Sequence, residues 1–169
     1  MKRFLTALIG CCISLSVWAQ IPTPPEPSLE AKAWMLLDVN SGQVLAGQKT
    51  NERFEPASLT KLMTAYLTFG ALKQKSLKPD QVIPVSTRAW KAEGSRMFIE
   101  PNKPVTVDEL LRGLIIQSGN DASIALAEAI GGSEDVFAQM MNREAKRLGM
   151  ANTNFTNATG LTSPQLYST

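Results

Sequence analysis

Apolar and polar positions fall into short runs, helical stripes and polar turns, and their order predicts the elements. Ala33-Trp34-Met35-Leu36-Leu37 is a short apolar run that reads as a buried strand. Asp38 to Gln43 supplies turn chemistry, and Val44-Leu45-Ala46 reads as the returning strand of a β-hairpin. After Pro56-Ala57 a helical stripe begins. Leu62, Tyr66 and Phe69, with Leu59, Met63 and Leu67, form its apolar face, and Lys73-Gln74-Lys75 closes it in solvent. Residues 79–104 are irregular, with strand-like pairs such as Val82-Ile83. Thr106-Val107-Asp108-Glu109 is a capping box, in which the threonine accepts an orphan helix amide and the glutamate reaches back. The helix it opens, Leu110 to Ile116, is apolar almost all round and is expected to be buried. Gln117-Ser118-Gly119-Asn120 makes a tight turn, and Asp121 starts a second apolar helix that Gly131-Gly132 stops. Ser133 caps a third, with Phe137, Met141 and Leu148 on its core face and Gly149 at its end. Residues 152–169 read as loop.

The N-terminus carries a different pattern. Met1-Lys2-Arg3 is positive, Phe4 to Val17 is largely apolar, and Val17-Trp18-Ala19 places small residues where a signal peptidase looks. Residues 1–19 are expected to be a secretory signal cut after Ala19, which implies a periplasmic protein. The run is shorter than the ~20 residues a spanning helix needs, which counts against a membrane anchor. A lipoprotein signal with attachment at Cys11 is the other alternative, although the residues after Cys11 stay apolar. Residues 20–32 form a tether, extended by four prolines between Ile21 and Ser28. The rest, residues 33–169, is expected to be one domain.

Composition narrows the chemistry. The 169 residues hold 2 cysteines, and both lie in the signal at Cys11 and Cys12. A mature chain would have no disulfide and no thiolate nucleophile. It would also lack histidine, which the sequence does not contain, so a Ser-His-Asp triad is excluded and a zinc site, short of its usual nitrogen and sulfur ligands, is not expected. Removal of Lys2 and Arg3 brings the 17 basic residues level with the 15 acids. Nothing therefore points to a nucleic-acid surface.

Serine chemistry in such a chain needs a lysine or carboxylate as base. Ser58-Leu59-Thr60-Lys61 offers one at a helix start: residues three apart share a face, so the amine reaches the hydroxyl. Ser118-Gly119-Asn120 joins two apolar helices. A Ser-x-x-Lys match arises by chance about once in a chain of this composition. On pattern alone, a plain helix cap at Ser58 and a plain turn at Ser118 remain equally open.

Together the motifs are more specific. Pro56 to Thr64 and Gln117-Ser118-Gly119-Asn120-Asp121-Ala122 resemble the first two motifs of the penicillin-binding proteins, in detail the low-molecular-mass serine D-alanyl-D-alanine carboxypeptidases. The likeness extends to Trp34 to Asp38 with Ser41-Gly42, to Gly94-Ser95-Arg96-Met97-Phe98 and to Asn157-Ala158-Thr159-Gly160-Leu161. The resemblance implies an α/β fold of the serine β-lactamase/transpeptidase type, a helical region beside an antiparallel sheet. It implies that Ser58 attacks the carbonyl of the penultimate D-alanine of a peptidoglycan stem peptide and that Lys61 takes its proton. Ser118 would relay a proton to the leaving D-alanine, and Asn120 would bind the substrate amide while holding Lys61. No metal or organic cofactor is implied, and β-lactams are expected to acylate Ser58.

The family's third motif, Lys-Thr-Gly or Lys-Ser-Gly, is not found; the nearest string is Gln48-Lys49-Thr50-Asn51. The chain is accordingly expected to be the N-terminal part of such a domain, with an incomplete sheet, an unpaired hairpin edge and little activity of its own. Inner-membrane association would depend on a C-terminal segment like the amphipathic helix that often ends family members. Two rivals stand beside this reading. A class A β-lactamase has Ser-Asp-Asn where this chain has Ser118-Gly119-Asn120, and no convincing Glu-x-x-Leu-Asn follows. The other rival is a non-catalytic cell-wall-binding relative.

Overall fold

The computed structural model describes residue 25 and residues 27–169. The expected signal and most of the tether lie outside the described residues. From Trp34 onward a hairpin is followed by a helical body. Strand β1 (Trp34–Leu37) pairs antiparallel with β2 (Val44–Gln48), Trp34 opposite Gln48 and Leu36 opposite Ala46, with a register shift after Leu36. The turn between them is held by Asp38, whose Oδ1 accepts from the amides of Asn40 and Ser41. Helix α1 (Thr60–Lys73) follows a 3-10 turn over Ala57–Leu59. A small ladder of β3 (Val82–Ile83) and β4 (Val105–Thr106) brackets the short helix α2 (Thr87–Trp90). Helices α3 (Val107–Ile116), α4 (Asn120–Gly131) and α5 (Glu134–Arg147) complete the body.

Helix α4 is the axis. Its run Ala122-Ser123-Ile124-Ala125-Leu126-Ala127 is buried throughout, and the small side chains let α1, α2, α3 and α5 pack against it from different sides. One apolar cluster joins α1, α3 and α4 to the β3–β4 ladder through residues such as Leu77, Ile83, Leu110, Leu114 and Leu126. A second joins Met63, Phe137 and Met141 to Phe155, Ala158 and Leu166 of the C-terminal loop. That loop is anchored, not loose: Phe54 bridges Ser168 and Asn154 bridges Tyr167.

The capping box at Thr106 and Glu109 forms with both hydrogen bonds in place, and Ser133 caps α5 by accepting from Val136. Elsewhere the structure corrects the sequence expectations. Strand β1 is exposed from Met35 to Leu37, because the hairpin's extensive packing is between its own two strands. Helix α1 splits the expected apolar face: Met63 and Leu67 pack inward, whereas Leu59, Leu62, Tyr66 and Phe69 turn outward, with Leu62 71% and Phe69 51% exposed. Thr60, Lys61, Thr64 and Thr68 are buried beside Met63. The buried hydroxyls are satisfied in two places: Thr64 donates to the Ala158 carbonyl at 2.8 Å and Thr68 to the Thr64 carbonyl at 2.8 Å. Helix α3 ends in exposed Ile115 and Ile116, and Leu148, expected on the core face of α5, is 45% exposed. The irregular 79–104 stretch holds α2, capped by Ser86, whose hydroxyl accepts from the Ala89 amide. Among the described residues no helix is long and apolar enough to cross a membrane.

Candidate active site

The approach to α1 is sharply bent. Pro56 fixes a local right-handed turn, and Ala57 then adopts a left-handed conformation, φ +45°. A non-glycine residue there is strained, and such strain persists only where the surroundings enforce it. The bend leaves Ser58 exposed at the mouth of α1. One helical turn on, Lys61 points inward and is only 5% exposed. Its Nζ lies 3.2 Å from Ser58 Oγ and 2.7 Å from the Thr159 carbonyl oxygen. Burial holds the Lys61 amine below the ordinary lysine value of 10.5, because leaving water disfavours the charged form. The pairing is therefore an accessible hydroxyl beside an amine that loses its proton more readily than a lysine in water. A serine needs that arrangement to act as a nucleophile.

Ser118 sits half-buried between α3 and α4, and it too is left-handed, φ +54°. Ser95 staples its turn from both sides: its hydroxyl donates to the Gln117 carbonyl, and its own carbonyl accepts from the Asn120 amide at 2.7 Å. The Gly119 amide donates to the Gly113 carbonyl at 3.0 Å and completes the clasp. Asn120 is buried, and its Nδ2 donates to the Glu93 carbonyl at 2.6 Å. The expected hydrogen bond from Lys61 to Asn120 is not among those made by the described residues. Lys61 instead donates to the Thr159 backbone carbonyl, while Asn120 uses its Nδ2 on Glu93.

The loop 157–161 links the surroundings of the two motifs. A Cβ placed on Gly160 would fall on the Ala57 carbonyl, immediately before Ser58. A Cβ placed on Gly94 would lie 2.9 Å from Asn120 Nδ2 and 4.0 Å from Leu161. Residues 94, 120 and 161 therefore crowd one side of the site, while 57, 159 and 160 crowd the other.

Several contributors carry no signal in a Ser-x-x-Lys search. Asp121 is fully buried, and its carboxylate accepts from the amides of Met97, Phe98, Ile99 and Ala122 at 2.8–3.2 Å. It fixes the loop that carries Ser95. Glu134, also buried, accepts from the Ala158 amide at 2.9 Å and from the Arg88 guanidinium, so it ties the 157–161 loop to α2 and α5. Asn142 accepts from and donates to the backbone of Phe155 at 2.8 and 2.7 Å. The string Asn157 to Leu161 stood out only through its family likeness; nothing in its composition marks the Thr159 carbonyl as a partner of Lys61.

Comparison with known proteins gives a consistent outcome. A family profile described as D-alanyl-D-alanine carboxypeptidase (Peptidase_S11) matches residues 19–169. The D-alanyl-D-alanine carboxypeptidase DacF of Bacillus subtilis is 46% identical over a 174-residue alignment that covers 99% of this chain and 45% of that protein. DacC of Escherichia coli is 42% identical, over 91% of this chain and 40% of that protein. The chain thus spans less than half the length of these curated relatives. Among solved structures, penicillin binding protein 5 of Haemophilus influenzae superposes with a TM-score of 0.83 at 40% identity, covering 86% of this chain and 43% of that one. Penicillin-binding protein D2 of Listeria monocytogenes, solved in an ampicillin-bound form, gives a TM-score of 0.76 at 29% identity, covering 86% of this chain and 59% of its own.

Proposed function

The chain belongs to the D-alanyl-D-alanine carboxypeptidase family, and on that premise we propose that it carries the nucleophile half of a penicillin-sensitive serine carboxypeptidase acting on peptidoglycan stem peptides. The observation that carries the reading is the exposed Ser58 hydroxyl 3.2 Å from the buried Lys61 amine. Deprotonated Lys61 takes the Ser58 proton as Oγ attacks the carbonyl of the penultimate D-alanine. The C–N bond to the terminal D-alanine breaks, and the proton passes from Lys61 through Ser118 to the departing amine. Backbone amides, that of Ser58 among them, stabilise the oxyanion. Water then loses a proton to the same amine and attacks the acyl carbon, the acyl–Oγ bond breaks, and Lys61 returns the proton to Ser58 Oγ as the shortened peptide leaves. Asn120, with its Nδ2 committed to Glu93, has Oδ1 left to accept from a substrate amide. The reaction draws on no metal or organic cofactor. The expected setting is the bacterial periplasm, peripheral to the inner membrane.

A β-lactam presents a strained amide to the same serine and stays attached as a slow ester. The test is labelling by a fluorescent penicillin. The 169 residues contain no Lys-Thr-Gly or Lys-Ser-Gly run, so labelling is expected to be slow here and fast in a polypeptide that extends this sequence with one. In that longer form Ser58→Ala abolishes labelling. Rapid turnover of the label would instead indicate a β-lactamase. No labelling in either form, with sacculus binding retained, would indicate a non-catalytic relative.

A further inference from the structure

The turn Asn157–Gly160 touches Lys61 and Ala57, the residue immediately before Ser58, and its construction is closed by hydrogen bonds. Asn157 Oδ1 accepts three hydrogen bonds, from the Thr159 amide at 3.1 Å, the Thr159 hydroxyl at 3.0 Å and the Gly160 amide at 2.7 Å. Its Nδ2 donates to the Leu161 carbonyl at 2.9 Å. Ala158 is fixed from outside, its amide to Glu134 and its carbonyl to Thr64. The Thr159 carbonyl that results faces Lys61 Nζ at 2.7 Å. A neutral amine has two N–H bonds and one lone pair. Pinning one N–H to Thr159 leaves the lone pair able to turn to the Ser58 hydroxyl. On the other side, Gly160 (φ +84°) leaves room that a side chain would fill: its Cβ would fall on the Ala57 carbonyl and come within 2.9 Å of Thr60 Oγ1. That Thr60 hydroxyl is buried without a hydrogen-bond partner among the described residues, so the packing here is not set by polar pairing.

We propose that the Asn157–Gly160 turn is the positioning device of the nucleophile pair: Gly160 seats the left-handed Ala57 that aims Ser58, and Asn157 holds the Thr159 carbonyl on Lys61. The inference rests on the reading of Ser58 and Lys61 as nucleophile and base. It makes Asn157 and Gly160 positioning residues, since neither touches the reacting atoms.

The test compares Gly160→Ala and Asn157→Ala with Gly132→Ala. Gly132 is also left-handed, φ +78°, but has nothing within 4 Å of its Cβ position and lies far along α4. It carries the backbone penalty without the contact. Lys61 is followed by carbon-13 NMR titration, assigned with Lys61→Met, alongside thermal unfolding and penicillin labelling. In Gly160→Ala and Asn157→Ala the Lys61 midpoint is expected to rise toward 10.5 as water reaches the amine. Acylation should slow roughly tenfold or more, the scale of a small misplacement of reacting groups. Gly132→Ala lowers the unfolding temperature and leaves Lys61 where it was. An unchanged Lys61 midpoint in the first two variants overturns the proposal. If Gly160→Ala does not fold, Asn157→Ala decides by the same titration, because it introduces no new atoms. If even the extended polypeptide takes up no penicillin, the carboxypeptidase reading fails while the titration still judges the turn.

Discussion

Lys61 has two acceptors, Ser58 Oγ and the Thr159 carbonyl, and little water. Its lowered proton affinity has a definite sign for stability. Between the lowered folded value and 10.5, the unfolded chain holds a proton that the folded chain has released. Stability therefore rises with pH across that window, and below it both states are protonated and the gain is absent. Wild type should show this rise in thermal midpoint, and Lys61→Met should lack it; parallel curves for the two would contradict the assignment. Acylation should follow the same group, climbing with pH along a limb centred below 10.5. Asp121 gives a second residue-scale prediction. Both its carboxylate oxygens accept two backbone amides each. Asp121→Asn keeps the shape but turns an NH2 group toward amide donors, at a cost of about 1–3 kcal/mol. The fall is read in the denaturation midpoint, and an unchanged midpoint would refute the role given to Asp121.

Helix α1 is the element where sequence pattern misled most. Leu62, Tyr66 and Phe69 are outside, and its inner face combines Thr60, Thr64, Thr68 and Lys61 with Met63. Periodicity places a stripe on one face, but it does not say which face meets the core. Here the inner face must carry the amine and the hydroxyl that holds the Ala158 carbonyl. Thr64→Val, nearly isosteric, strands that carbonyl and should cost about 1–3 kcal/mol, whereas Leu62→Gln on the outer face should stay within about 0.5 kcal/mol. Equal effects in urea unfolding would mean the orientation is wrong. What was legible follows short-range rules: the Ser58–Lys61 spacing of one turn, the Thr106–Glu109 capping box, the Ser133 cap and the glycine stop of α4. What was not legible is long-range or backbone-borne. The clasp of Ser95 on residues 117 and 120, the support of Asn142 for Phe155 and the carbonyl of Thr159 leave no periodic trace.

At the scale of the molecule, two apolar clusters meet at α4, yet apolar surface remains outside them. Met35, Leu36, Val44 and Leu45 of the hairpin are exposed, as are Leu62, Tyr66 and Phe69 of α1. Patches of this kind make a chain sticky. Light scattering is expected to rise with concentration, and Leu62→Lys with Phe69→Lys should suppress it; a solution that stays monodisperse throughout would argue against this. One further consequence follows from the hydrogen bond between Lys61 and Thr159, whose ends are 98 residues apart in the chain. Until the distal loop docks, the amine is bathed in water and keeps its proton. A molecule with that loop undocked thus holds the hydroxyl without a partner able to activate it, and competence arrives only once these two distant segments have met.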